Sequence, residues 1–134
     1  MEIKVSVEQA RVPITIMEVH GNIDSATYEA FKAKANELIR NGARYILVDL
    51  TQVPFVSSSG LRVLHNILNE LRILQPDARL SEMEIKMQIT KGQYKSPHLK
   101  LLNLSKETRI AFELSGFYLF IETFSDLQTA LAAF

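Results

Sequence analysis

Cysteine is absent from the sequence, and histidine is scarce. The absence of cysteine excludes disulfide bonds, thiolate nucleophiles and cysteine-based metal sites. His20, His65 and His98 stand far apart, so no two of them have the spacing that places a metal-binding pair on one helix face. We therefore expect neither a metal ion nor another cofactor.

An excess of charge of one sign is also missing, because 15 lysine and arginine residues stand against 15 aspartate and glutamate residues. Proteins that hold nucleic acid by counterion release carry a basic surplus, so nucleic acid is not an expected partner. The apolar run at residues 45–50 is far too short to cross a membrane. The first residues lack the basic and apolar regions of a signal peptide. We expect a cytoplasmic protein without membrane insertion.

The composition that is present is typical of a globular protein. The chain has 134 residues, of which 47% are hydrophobic and 22% are charged. This length allows one hydrophobic core to form without staples such as disulfides. We predict a single domain over residues 1–134.

Hydrophobic periodicity predicts the elements of the first half of the chain. Apolar and polar residues alternate over 3–7 and over 12–16, which predicts a hairpin. Residues 26–40 repeat apolar side chains at helical spacing, and Asn41-Gly42 follows as a left-handed cap. The continuous apolar run 45–50 predicts a central parallel strand with helices on both faces.

The second half predicts further alternation of helices and strands. Residues 61–74 carry a buried apolar stripe, and the next strand is expected at 99–102. Ser105 can cap a helix that Gly116 ends. A fifth strand is predicted at 118–121. A capping box at 125–128 then opens a last helix that buries Leu127, Leu131 and Phe134.

The resulting order, ββαβαβαβα, predicts an α/β fold. Strands two to five pair in parallel through right-handed crossovers, strand one is an antiparallel edge, and helices pack on the sheet. Binding sites in such sheets lie at the carboxyl ends of the strands. Residues 21–25, 51–59 and 103–105 should meet there.

Three segments carry a resemblance to a known family: residues 21–24 (GNID), residues 47–61 (LVDLTQVPFVSSSGL) and residues 114–117 (LSGF). In order and spacing they resemble the motifs of STAS domains, a family named after sulfate transporters and anti-sigma factor antagonists. The resemblance spans nearly the whole chain except an insertion at about 75–98. It implies an STAS-like sheet of mostly parallel strands packed with helices.

In the antagonist branch the phosphorylated residue directly precedes a glycine, which implies Ser59 here, with Ser58 as the fallback. The implied function is a partner switch. The unmodified domain binds a serine kinase that also acts as an anti-sigma factor, phosphorylation releases it, and a serine phosphatase resets the system. The implied partner-binding residues are Asn22, Asp24, Ser57, Ser58, Ser59 and Gly60.

Local capping is the alternative explanation for several of these residues. The acidic residue common at the first motif position is replaced by Ser57, and either Ser57 or Ser58 could simply cap the following helix. Capping explains one serine but not three. Asp24 and Asp49 could each orient a serine hydroxyl or bind a cation of the partner. The alternatives are that Asp24 caps the first helix and that Asp49 satisfies loop amides.

The insertion departs from the family pattern. Apolar residues alternate with polar ones over 83–89, which predicts an extended segment, although Ser81 and Glu84 fit a capping box and support a rival helix. The insertion should lie at the amino ends of the strands, opposite the serines. It is expected to carry a basic rim made by Lys86, Lys91, Lys95 and Lys100.

Two other functions compete with the switch. A nucleotide-binding enzyme is disfavoured, because the chain has no Walker-type glycine loop and no motif that places a His or carboxylate pair beside a nucleophilic serine. We therefore predict that the chain is not an enzyme. A constitutive STAS subunit of a transporter or a signalling scaffold would use the same surface without phosphorylation.

Overall fold

The computed structural model describes residues 1–75, 81–91 and 95–134. The strands are β1 (Glu2–Gln9), β2 (Pro13–His20), β3 (Ile46–Gln52), β4 (Leu99–Leu102) and β5 (Glu122–Phe124). The helices are α1 (Tyr28–Arg40), α2 (Ser58–Leu74), α3 (Glu82–Thr90), α4 (Lys106–Ser115) and α5 (Leu127–Ala132), and a 3-10 turn spans Phe117–Leu119.

The strands form one five-stranded sheet whose spatial order, β1-β2-β3-β4-β5, follows the chain. β1 pairs with β2 in antiparallel fashion, and the other neighbours are parallel. The predicted α/β fold with an antiparallel first strand is therefore confirmed. Because consecutive parallel strands are joined by right-handed crossovers that run in one direction, α1, α2 and α4 collect on the same face of the sheet.

The larger hydrophobic core lies between the sheet and these three helices. Phe31 of α1, Leu64 of α2 and Phe112 of α4 are buried against Met17 and Val48 of the sheet. The apolar stripes of α1 and α2 face this core, as their helical spacing predicts. The carboxyl ends of the strands and the starts of these helices are thereby held in fixed positions.

A smaller core covers the opposite face of the sheet, where α5 packs. Ala130 and Phe134 lie against Ile16 and Leu47. Residue 127 was predicted to be buried here, but Leu127 is 40% exposed. Ala130 packs against the sheet instead, and the N-cap of α5 is Asp126 rather than Ser125, the first residue of the predicted capping box. The hydrogen bond from the Thr129 side chain lowers the pKa of Asp126 most, and the bond from the Thr129 backbone amide lowers it further.

Lys100 belongs to this second face and not to the basic rim predicted for the insertion. It is 2% exposed, and its ammonium lies 2.8 Å from Glu122 Oε1 and 5.4 Å from the ring centre of Phe134. It also donates to the carbonyl of Ser96 at 3.2 Å. Lys86, Lys91 and Lys95 are exposed.

The prediction that residues 83–89 are extended is wrong, because they lie in α3. The Ser81 hydroxyl accepts from the Glu84 amide at 3.1 Å, as in the capping box of the rival interpretation. The same hydroxyl donates to Glu84 Oε1 at 3.2 Å, so the carboxylate bonds to the side chain of Ser81. Ile85 is buried while Met83 and Met87 are exposed, so the alternating residues do not share a face. The remaining parts of the insertion, 76–80 and 92–94, lie outside the described residues.

The fifth strand is predicted at 118–121, but the structure has it later in the chain, at Glu122–Phe124. Gly116 ends α4 in the left-handed conformation at φ +83°, and the chain continues as the 3-10 turn rather than as a strand. Phe117 stacks on His65 at 5.1 Å, and Phe120 packs against both rings. Sheet pairing then begins at Glu122, because the aromatic run is used for packing on α2.

Candidate functional site

Two loops pair with each other at the carboxyl ends of β2 and β3. Ile23 and Val56 form an isolated parallel bridge, in which the Ile23 amide donates to Phe55 and the Ser57 amide donates to Ile23. These two bonds measure 3.0 and 2.8 Å. The bridge extends the sheet pairing into the loops, so the residues that precede α1 and α2 are positioned together.

The third loop joins them through side chains. The Ser105 hydroxyl donates to the Pro54 carbonyl at 2.7 Å, and the buried Thr108 hydroxyl accepts from the Val56 amide at 3.2 Å. Asn103, at φ +59°, donates from its side chain to Thr51 at 2.8 Å. The structure thus brings together the three loops that the strand order predicts to meet.

The three serines differ in what their hydroxyls do. Ser57 is the N-cap of α2, and its hydroxyl accepts from the Gly60 amide at 3.4 Å. Ser58 is exposed and Ser59 is half-buried, both in the first turn of α2. In the part of the chain that the structure describes, neither of these two hydroxyls makes a hydrogen bond. Capping therefore explains Ser57 and leaves two hydroxyls uncommitted.

Gly60 is buried and has a packing role. A Cβ atom at this position would lie 2.6 Å from Val56 Cγ1, 2.8 Å from Ile23 Cγ2 and 3.1 Å from the Ile23 carbonyl oxygen. Only a residue without a side chain allows the first turn of α2 to rest on the Ile23–Val56 bridge. Gly60 was predicted as a partner contact, and the structure places it beneath the serines rather than on the surface.

Asp24 organises the turn before α1. Its carboxylate accepts from the Ala26 amide at 2.9 Å and lies 3.3 Å from the Thr27 hydroxyl, which donates to the Asn22 carbonyl at 2.7 Å. This turn delays the helix, which starts at Tyr28 and not at residue 26. The side chain of Asn22 is exposed beside it.

Asp49 satisfies its own loop, as predicted. Its carboxylate accepts from the amide and the hydroxyl of Thr51 at 3.0 and 2.5 Å. Side chains alternate along a strand, and Val48 and Leu50 point into the larger core. Asp49 therefore faces the other side of the sheet, away from the start of α2, and does not orient the serine hydroxyls.

Sequence reasoning missed two residues of this region. Thr108 carries the link between α4 and the serine loop, and its polar side chain in the helix pattern was the only signal. Phe55 is 40% exposed two residues before Ser57. An exposed aromatic side chain next to free hydroxyls is the kind of surface that a protein partner buries.

Replacing Thr108 with valine should destabilise the fold by about 1 to 2 kcal/mol, because the buried Val56 amide then loses its acceptor. Valine conserves the shape, so the loss reports the hydroxyl, which also lies 2.9 Å from the Ser105 hydroxyl. Thr123→Val, in the edge strand β5, removes a hydroxyl that makes no hydrogen bond with the described residues, so this control should change stability by less than about 0.5 kcal/mol. Urea unfolding measures both, and equal stabilities would contradict the assigned bond.

Metal ligands are not grouped in the described parts of the chain, which contain no cluster of three His, Cys, Asp or Glu residues. Among the same residues, no helix is long and apolar enough to cross a membrane.

Comparison with known proteins finds anti-sigma factor antagonists among the relatives of this chain. BtrV of Bordetella bronchiseptica, provisionally named an anti-sigma factor antagonist, is 28% identical over 116 residues, which are 87% of this chain and 82% of BtrV. An anti-sigma factor antagonist from Mycobacterium paratuberculosis has a similar structure, with a TM-score of 0.68 at 20% identity, covering 98% of this chain and 93% of that one.

The anti-sigma factor antagonist SpoIIAA of Bacillus is also similar, in two states. Its unphosphorylated form gives a TM-score of 0.66 and its phosphorylated form 0.60, each at 19% identity and over 96% of this chain. These alignments cover 93% and 96% of SpoIIAA. The family model of the STAS domain matches residues 5–90, more than half of the chain. The chain therefore belongs to the STAS domain family.

Proposed function

We propose that this chain is a phosphorylation-controlled protein-binding switch of the anti-sigma factor antagonist type. It binds a serine kinase that also acts as an anti-sigma factor, and so regulates transcription in the cytoplasm. The observation that carries the proposal is that the serines differ: Ser57 caps α2, while the hydroxyls of Ser58 and Ser59, on its first turn, make no hydrogen bond with the described residues.

Ser59 is the proposed acceptor and Ser58 the fallback. Ser59 directly precedes Gly60, whose packing on Ile23 and Val56 fixes the position of the turn. Ser58 is more exposed than Ser59, which favours Ser58 as the acceptor, so an experiment must decide which of the two serines is phosphorylated. The kinase would transfer the γ-phosphoryl group of ATP to the serine oxygen, releasing ADP and the hydroxyl proton. The serine phosphatase would hydrolyse the phosphate ester with water.

Serine at position 57 is compatible with this role. The acidic residue common at this motif position is also a favoured N-cap, and Ser57 performs the same capping through its hydroxyl. The first turn of α2 therefore keeps its geometry without the carboxylate. The substitution removes one negative charge from the surface that the kinase would contact.

The proposed switch changes binding without changing the fold. A phosphate adds about 1.5 to 2 negative charges. At the start of a helix this charge is stabilised by about 0.3 to 1 kcal/mol, so the domain should tolerate it. A docked partner would have to desolvate and pair the same charge, at a cost of several kcal/mol. The similarity of this chain to both forms of SpoIIAA supports a fold that accommodates the modification.

The neighbouring surface suits a protein partner. Phe55 and Pro54 are exposed before the serines, and Asn22 is exposed on the paired loop. The partners would supply the catalytic chemistry, while this chain would supply the acceptor hydroxyl and the docking surface. A partner that buries Phe55 would bring its own groups against the first turn of α2, where a phosphate interferes with docking.

The test is phosphosite mapping by mass spectrometry after incubation with the cognate kinase and ATP. It is followed by calorimetric measurement of kinase affinity for both forms of the chain. We expect phosphate at Ser59 or Ser58 and weaker binding of the modified form. Phosphate found only outside residues 57–59, or equal affinity of the two forms, would favour the constitutive subunit instead.

A further inference from the structure

Arg62 lies one helical turn after the free serines. It is four residues beyond Ser58 and three beyond Ser59, the two spacings that bring helical side chains together on one face. Side chains on a helix lean toward its amino terminus, so a long side chain covers the turn that precedes it. The guanidinium of Arg62 can therefore reach the oxygen of either serine.

This cation has no partner in the protein as described. Arg62 is exposed and makes no hydrogen bond or ion pair with the residues that the structure describes. Lys100, by contrast, pairs with Glu122, and Lys34 with Glu37. The first turn of α2 contains no acidic residue that could occupy Arg62. The guanidinium is thus available to a negative charge introduced at the serines.

We propose that Arg62 is a positioning residue of the phosphorylated state, whose guanidinium binds the phosphate on Ser59 or Ser58 within the same chain. The inference rests on the proposed function and deepens it. Arginine presents a rigid fork of donors that matches two phosphate oxygens at once. A phosphate placed before the cation along the helix also has the favourable order of charges.

The pairing gives phosphorylation a second consequence. In the unmodified chain Arg62 is free to contact an acidic group of the partner. Once the phosphate is present, the guanidinium turns to it and is withdrawn from that contact. Modification would thus add a negative charge to the docking surface and remove a positive one from it.

Other charged residues lie at the same edge of the sheet, and their effect on the phosphate must be distinguished from that of Arg62. Lys106 begins α4, next to Ser105, which bonds to the serine loop. Glu107 is the acidic residue of that helix start, and Asp24 is held in its own turn. Lys106 is therefore the competing cation, and its variant belongs in the experiment.

The experiment uses the full chain with phosphoserine incorporated during translation at position 59 and, in a second preparation, at position 58. No kinase is needed, so the result is independent of whether a kinase modifies the site. A pH titration, monitored by phosphorus NMR, measures the second pKa of the phosphate, which is ordinarily about 6. Pairing with a cation favours the dianion and lowers this pKa.

We expect Arg62→Gln to raise that pKa by about 0.3 unit in at least one of the two preparations. Arg62→Lys should restore part of the difference. Arg40→Gln, which removes an exposed arginine at the far end of α1, is the matched control and should leave the pKa unchanged.

Equal pKa values for the parent and Arg62→Gln in both preparations would overturn the inference. A larger shift in Lys106→Gln than in Arg62→Gln would also overturn it and assign the phosphate to Lys106. Neither result bears on whether a kinase modifies the serines, because that question is decided by the phosphosite mapping.

Discussion

Replacing Gly60 with alanine is expected to lower the free energy of unfolding by about 2 to 3 kcal/mol. The added methyl group would lie 2.6 Å from Val56 Cγ1 and 2.8 Å from Ile23 Cγ2, closer than atoms in contact can remain. Both neighbours belong to the bridge that joins the two loops, and the Ile23 carbonyl is at 3.1 Å. This steric clash can be relieved only if α2 or the bridge moves.

The sign of this change makes the prediction decisive. Within a helix, glycine to alanine ordinarily stabilises by about 0.5 to 1 kcal/mol, because alanine loses less backbone entropy on folding. Asn66→Ala, at an exposed position of the same helix, is the control and should be neutral or slightly stabilising. Urea unfolding measures both variants. A Gly60→Ala protein as stable as the parent would show that α2 does not rest closely on the bridge.

The same variant separates the packing role of Gly60 from a recognition role. If the first turn of α2 shifts, phosphorylation of the neighbouring serines should slow even where the variant remains folded. Ser58 and Ser59 themselves keep their hydroxyls in this variant, so any such loss reflects their placement. Gly60 would then act on partner binding through the position of the serines and not through contact.

The sheet and its crossovers could be predicted because the signals are local or topological. Residues 46–48 form the apolar start of β3, and the caps at Gly42, Ser105 and Gly116 lie where the sequence predicts them. The strand order then fixes which loops meet, since carboxyl ends of parallel strands share an edge. The cluster of loops around the serines follows from this order alone.

The errors arise where distant contacts decide the structure. Lysine in a short strand suggests a surface position, but Lys100 is buried because Glu122 on the neighbouring strand supplies its counter-charge. Alternation of apolar residues at 83–89 suggests a strand. The structure has α3 instead, because Ser81 caps the helix and Ile85 is buried while Met83 and Met87 are exposed. The aromatic residues after Gly116 pack on His65, which no local pattern reveals.

The candidate site was only partly predictable for a similar reason. The sequence shows three consecutive serines, but it cannot show which of them caps α2. The cap is decided by the hydrogen bond from Gly60 to Ser57, and that bond depends on how the bridge positions the turn. That the other two hydroxyls make no hydrogen bond within residues 1–75, 81–91 and 95–134 is therefore a result of the fold.

Ser59→Asp is expected to weaken binding of the cognate kinase at least tenfold, or about 1.4 kcal/mol. The carboxylate lies in the first turn of α2, where the helix dipole tolerates it but a closely docked partner must desolvate it. Ser59→Ala should bind like the parent and resist phosphorylation if Ser59 is the acceptor. Calorimetry gives the affinities, and thermal unfolding checks that each variant keeps its fold.

Two matched variants decide what the loss of affinity means. Ser6→Asp adds the same charge at an exposed position of β1, away from the loops, and should leave the affinity unchanged. Ser58→Asp tests the fallback acceptor one residue earlier in the same turn. Aspartate imitates phosphate imperfectly, so the loss of affinity in Ser59→Asp should be smaller than the loss caused by phosphorylation. If Ser59→Asp and Ser58→Asp both bind as tightly as the parent, the serine turn lies outside the partner's footprint, and the charge-based switch proposed here is wrong.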